Sequence, residues 1–132
     1  MAKIVPTDLI SHHELPDQNF PFVLTTGRLL EHWHTGAMTR RSNTLDNIEP
    51  EAIVNMNRLD MKNLKLEPGN KVQVKTRRGS IELSVRQDTE LPKGMIFIPF
   101  CFSEAAANKL TNPQLDPFGK IPEFKYCAAN IE

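Results

Sequence analysis

Residues 71–85, KVQVKTRRGSIELSV, alternate side chains of opposite character. Val72, Val74, Ile81, Leu83 and Val85 fall on one face of an extended chain, and Lys71, Gln73 and Lys75 fall on the other. A period of two is what a half-buried strand requires. Arg77-Arg78-Gly79 interrupts the alternation with a solvent-exposed turn, so the stretch predicts a β-hairpin. Working outward, PFVLTT (21–26), EAIVNMN (51–57), LPKGMIFIPF (91–100) and EFKYCAANIE (123–132) each read as one further short strand. NRLDMKNLKL (57–66) sets Leu59, Met61, Leu64 and Leu66 near helical spacing and ends before Pro68-Gly69, which predicts a short helix. SEAAANKLTN (103–112) predicts a second, with Ser103 as its N-cap. The connections between strands are longer than hairpin turns. This pattern predicts a mainly β barrel with short helices, a sandwich being the alternative that it leaves open.

Composition narrows the function classes. The 132 residues predict one domain, with residues 1–19 linker-like (SHHELPDQNFP is polar and proline-bounded) and residues 20–132 folded. Sixteen basic side chains balance sixteen acidic ones. No large basic field results, which argues against a nucleic-acid or membrane-surface binder. No apolar run approaches a membrane span, and MAKIVPTDLI has no signal-peptide core. Cys101 and Cys127 lie in or beside apolar runs and form no C-x-x-C pair, so they read as free core thiols in a cytoplasmic chain.

One passage does not suit a core element. TTGRLLEHWHTGAMTRRS (25–42) gathers four threonines, His32, Trp33, His34, Arg28, Arg40 and Arg41 around two glycines. Gly27 lets a ligand approach the backbone after the strand. Threonine hydroxyls and free N–H groups can receive an oxyanion, and Arg28 can grip a phosphate in two-pronged fashion. On an extended segment His32 and His34 share one side. Such a set suits a large anionic, nucleotide-like ligand. The plain alternative is a surface arginine and a histidine satisfied inside the core. His32 and His34 with His12 or His13 match no common metal-site spacing, so no metal site is assigned. Asn108 is a poor interior helix residue and faces a ligand or ends its helix. Lys125 reads as outward-facing on the last strand. No nucleophile elbow or paired-carboxylate motif is present, so no catalytic residue is assigned.

Three separated motifs, FPFVLTTGRLLEHWHTGAMTRRS (20–42), VQVKTRRGSIEL (72–83) and GMIFIPFCFSEAAANKLTNPQLDPFGKIPEFKYCA (94–128), closely resemble the C-terminal cofactor-binding domain of molybdenum or tungsten oxidoreductases that carry bis-molybdopterin guanine dinucleotide. The resemblance spans residues 20–132. It implies a double-psi β-barrel of the aspartate-decarboxylase-like kind. It also implies that Thr26, Gly27, Arg28, Leu29, Leu30, His32, Trp33, His34 and Thr35 wrap the dinucleotide, with Phe100, Asn108, Phe124 and Lys125 as further contacts. The closing section is most similar to the formate dehydrogenase catalytic subunit, which oxidises formate to CO2. The matching domain of a periplasmic-type or assimilatory nitrate reductase is the alternative, with a periplasmic location. A stand-alone interaction barrel is the other.

The iron–sulfur cysteines, the metal-bound cysteine or selenocysteine, and the active-site His and Arg of such enzymes are absent from this sequence. The resemblance therefore implies that the metal and any iron–sulfur cluster are held with the remaining domains or subunits of a parent oxidoreductase. It leaves open whether this chain is a segment of that parent or a separate small subunit.

Overall fold

The computed structural model describes residues 2–6 and 8–132. Strands β1 (Phe22–Gly27), β2 (Ile53–Met56), β3 (Lys71–Lys75), β4 (Ser80–Gln87), β5 (Met95–Pro99) and β6 (Cys127–Ile131) close into a barrel in the order β1-β5-β2-β4-β3-β6. The mainly β barrel expected from the sequence is therefore the observed architecture, and the sandwich alternative is excluded. The hairpin forms as its alternation predicts, with Val72 opposite Leu83 and Val74 opposite Ile81. Its apolar face is buried and its lysines are exposed. Leu24, Val54, Met56, Val74, Ile96 and Ile98 fill the interior, each 0% exposed. Burying one such side chain contributes about 1.5–3 kcal/mol.

Two strand pairs are parallel: β1 with β5, and β2 with β4. Parallel neighbours need long crossovers, which explains why the connections exceed hairpin length. The pairing of β1 with β5 sets Thr26 against Ile98 and Gly27 against Pro99. Phe100 N–H then donates to Gly27 carbonyl at 3.1 Å. Both strands thus release their following loops at the same end of the barrel.

Three local expectations are corrected. Helix α2 covers only Arg58–Asn63, with Asn57 as its cap. Its buried residues are Asp60 and Met61 rather than Leu59 and Leu64. The alanine run 103–112 is not a helix but turns and one 3-10 turn at Ala107–Lys109, and Ser103 caps nothing. Ala105, Ala107 and Leu110 all enter the core, a spacing that no α-helix provides, and this burial overrides alanine's helix propensity. The last strand begins only at Cys127, leaving Glu123–Lys125 in the preceding turn. A helix that the polar sequence did not reveal, α1 (Asn43–Ile48), follows a 3-10 turn at Thr39–Arg41 and buries no residue.

The dibasic turn is engaged rather than free. Arg78 donates to the Glu14 carboxylate through both terminal nitrogens and is only 22% exposed. Arg77 pairs with Asp17 and lies over the Phe20 ring at 4.7 Å. The linker-like residues 12–20 thus pack on the barrel. Burial raises the Glu14 pKa, but the Arg78 hydrogen bonds, the Ala128 N–H and the two arginine charges outweigh it and hold it below the ordinary glutamate range. A folded-state pKa below the unfolded one contributes stability above the unfolded value and loses it as pH falls through the folded value. Urea midpoints are therefore expected to decline as pH drops below about 4.3, and Glu14→Gln should flatten that decline. An unchanged pH profile in the variant would contradict this assignment.

Candidate functional site

The paired exits of β1 and β5 form one side of a groove of about 370 Å³. Thr26 supplies the end of β1, Phe100 and Phe102 follow β5, and Thr35 comes from the loop after β1. The opposite side is the irregular run carrying Ser103, Ala106, Ala107, Asn108 and Thr111, and Phe124 closes the end. Three phenyl rings supply apolar faces. Hydroxyl groups and one amide supply hydrogen-bonding positions. Among the described residues, no acidic one lines the groove. The volume lies in the range of about 300–1,000 Å³ usual for small-molecule sites.

Local bonds hold these groups in place. Thr26 is 3% exposed, and its hydroxyl donates to the Phe124 carbonyl at 2.8 Å. Its own carbonyl accepts from Lys125 Nζ at 2.9 Å. Lys125 therefore folds back onto β1 rather than pointing away on a strand face, and two of its three donors remain for a ligand. Thr111 Oγ1 donates to the Asn108 carbonyl at 3.2 Å, fixing the turn that presents the Asn108 amide.

The segment after β1 divides its residues between ligand-accessible and purely internal positions. Thr35 lines the groove. Arg28 is exposed two residues beyond Thr26, and among the described residues no carboxylate pairs with it. By contrast Arg40, Arg77, Arg78 and Arg86 are all held by carboxylates. Leu29 is half-buried, while Leu30 and Trp33 are 97% and 61% exposed.

Gly27 serves packing: a Cβ there would lie 2.5 Å from the Phe97 ring, which occupies the space that the sequence reading left for a ligand. His32 likewise serves packing. It is 1% exposed, with Nε2 2.9 Å from the Glu49 carbonyl and Nδ1 3.3 Å from Thr39 Oγ1. Both ring nitrogens are used inside the chain, so His32 braces the loop. His34 adopts φ +49° and stays half-exposed, its ring edge-on to Trp33 at 4.7 Å. The two imidazoles therefore separate, because residues 31–36 are bends and turns rather than the extended segment on which they would share a side.

The structure adds Phe102, Ser103, Ala106, Ala107 and Thr111 to the groove. Phe102 was discoverable, since it stands two residues after Phe100 in the segment that follows β5. The alanines were hidden by their helical appearance. Both cysteines are free and buried, and burial pushes the Cys101 thiol up to about 11, far from a reactive thiolate.

Comparison with known proteins agrees with this geometry. The Molydopterin dinucleotide binding domain family matches residues 22–128. The chain is 47% identical over 131 residues to the F420-dependent formate dehydrogenase subunit alpha of Methanocaldococcus jannaschii. It is 40% and 39% identical over 132 residues to the alpha subunits of F420-dependent formate dehydrogenases 1 and 2 of Methanococcus maripaludis. These matches cover 99–100% of this chain but 20% of each relative, so the chain spans about a fifth of their length. Acetylene hydratase from Pelobacter acetylenicus superposes with a TM-score of 0.81 at 19% identity, over 92% of this chain and 20% of that one, and so shares the fold. With a family match over most of its length and a closed barrel whose groove carries no acidic side chain, the chain belongs to the Molydopterin dinucleotide binding domain family.

Proposed function

We propose that the groove holds one guanine dinucleotide arm of a bis-molybdopterin guanine dinucleotide cofactor, in a parent enzyme that oxidises formate to CO2. The observation that carries this reading is the chemistry of the groove: rings, hydroxyls and an amide, with no carboxylate among the described lining residues, and with Lys125 bonded to the Thr26 carbonyl beside it. These residues fit the group. The half-buried faces of Phe100 and Phe124 suit flat heterocycles, with the buried Phe102 packed beneath them. Asn108 can both donate to and accept from a base edge. Lys125 and Arg28 suit phosphate oxygens. A groove of about 370 Å³ would take part of one arm and leave the remainder to the rest of the parent protein. The bound metal, molybdenum or tungsten, supplies the redox chemistry. This chain's own residues bind, orient and desolvate the nucleotide.

The names of the relatives favour formate over nitrate as substrate, and F420 as the electron acceptor. A cytoplasmic location belongs to the same reading, in keeping with two unpaired thiols. Iron–sulfur clusters are assigned to the other domains of the parent.

The test is metal analysis of the purified full-length protein together with GMP release on acid hydrolysis. Stoichiometric guanine nucleotide with molybdenum or tungsten, and formate-driven F420 reduction without nitrate reduction, are expected. Absence of both metal and GMP defeats the proposal, while nitrate reduction in place of formate oxidation selects the alternative enzyme. Arg28→Ala and Lys125→Ala should each weaken nucleotide retention about 10- to 100-fold, the value of a charge-assisted hydrogen bond of about 1.5–3 kcal/mol. The Arg28→Ala midpoint should barely move, since that side chain is exposed, whereas Lys125→Ala also gives up the bond to the Thr26 carbonyl and should lose about 1 kcal/mol. Undiminished nucleotide content in both variants would remove these two residues from the site.

A further inference from the structure

Two walls of the groove, the run 103–111 and the end at Phe124, are tied to the same short segment of chain, residues 12–17, which precedes the first strand. The first tie runs through the hairpin turn. Glu14 accepts from both terminal nitrogens of Arg78, and Arg78 Nε donates to the Leu110 carbonyl at 3.0 Å. Leu110 directly follows the 3-10 turn that presents Ala107 and Asn108, and it precedes Thr111. Cys127 Sγ, 3.7 Å away, is the other group directed at that carbonyl. The second tie runs through Glu123. Its carboxylate accepts from His13 N–H at 3.2 Å and from Asn112 Nδ2 at 3.0 Å. Glu123 adjoins Phe124, whose carbonyl receives the Thr26 hydroxyl. Glu14 also accepts from Ala128 N–H at 2.7 Å, and His12 stacks on Tyr126 at 3.7 Å. The turn from Glu123 to Tyr126 is therefore gripped on both flanks.

We propose that residues 12–17 act as a strap that fixes the separation of the two groove walls, with Glu14 and Arg78 as positioning residues for the nucleotide and not contacts to it. The inference rests on the functional reading above. Its physical basis is that the walls are loops. The run 103–111 contains one 3-10 turn, and the end wall is a turn outside the strands. Loops without a ladder of their own open locally at low cost unless other contacts restrain them. The Glu14 carboxylate and the His13 N–H, which Glu123 accepts, provide that restraint from one segment. A bidentate arginine–carboxylate pair is well suited to it, because it fixes orientation as well as distance. Asp17, the other acidic residue of the strap, holds Arg77 and caps Asn19 and Phe20, and reaches neither wall.

Amide hydrogen exchange on the full-length protein tests the proposal, with guanine nucleotide content as a second readout. In Glu14→Gln, an isosteric change, peptides covering residues 107–112 and 123–126 should exchange about tenfold faster while those covering the barrel strands keep their rates. Retained GMP should fall several-fold. Glu14→Asp keeps the charge but shortens its reach, and should fall between wild type and Glu14→Gln. Asp17→Asn should leave wall exchange and GMP content at wild-type values. Unchanged wall exchange in Glu14→Gln overturns the strap, as does equal loosening in Asp17→Asn. Faster wall exchange in a protein that carries no guanine nucleotide even as wild type supports the strap and defeats the functional reading alone.

Discussion

Phe102→Ala is expected to destabilise the folded chain by about 3–5 kcal/mol, the usual result of removing a buried aromatic ring. Phe102 is 1% exposed and belongs to three environments at once. The His32 ring meets it edge-on at 5.8 Å, and the Arg40 guanidinium lies over it at 4.8 Å. Its remaining surface lines the groove. Arg40 in turn donates to Asp46 at 2.9 Å and to Glu104 at 2.6 Å. Burial works against the charge on this guanidinium, but the hydrogen bonds and charges of Glu104 and Asp46 outweigh it and raise its pKa. Truncating the ring therefore opens a cavity beneath the loop that follows β1 and removes one face of the nucleotide groove. The thermal midpoint should drop by roughly 10 °C or more. Denaturant titration measures the loss, with Phe118→Ala as control. Phe118 is 91% exposed, and its removal should change stability by no more than about 0.5 kcal/mol. Equal midpoints for the two variants would mean that Phe102 is not the keystone between His32, Arg40 and the groove.

Gly36→Ala carries the second large effect. Gly36 sits at φ +73°, where an L side chain costs about 1–2 kcal/mol. A Cβ there would also stand 2.7 Å from the Cys101 carbonyl and 2.8 Å from Arg40 Cγ. The first of these is backbone fixed at the end of β5, so the loop must yield, adding about 1–3 kcal/mol. The total loss is expected at about 2–5 kcal/mol, with lower nucleotide retention because neighbouring Thr35 lines the groove. Gly69→Ala separates the two contributions. Gly69 has φ +89° but open space around its Cβ position, so it reports the conformational cost alone. If both variants lose the same stability, the contact with Cys101 and Arg40 has no energetic weight.

How much of the site was readable from sequence depends on the range of the interactions involved. Thr26, Thr35, Phe100, Asn108 and Phe124 come from motifs near residues 26, 100 and 124, and the structure brings all five to one groove. Asn108 stood out because asparagine suits a helix interior badly, and the absence of a helix there explains why it is tolerated. His32 is ambiguous in the sequence because the same residue type serves as ligand donor and as core brace. Only burial and the two partners of its nitrogens distinguish the roles. Gly27 is ambiguous for a similar reason, since the Phe97 ring that excludes a Cβ lies on a neighbouring strand. The alanine run failed as a helix because burial at positions 105, 107 and 110 outweighed its local preference.

The sequence by itself determined the elements whose signal is local: the alternation of the β3–β4 hairpin, the apolar strands, and the motifs of a cofactor-binding family. Only the tertiary structure decided that Glu14 reaches Ala128 across 114 positions, that Thr26 reaches Phe124 across 98, and that Lys125 turns back to Thr26. The physical reason is that strand periodicity is imposed by neighbours along the chain. The partner of a carboxylate, a hydroxyl or an imidazole is chosen by barrel closure, which sets residues side by side with no regard for their separation in sequence.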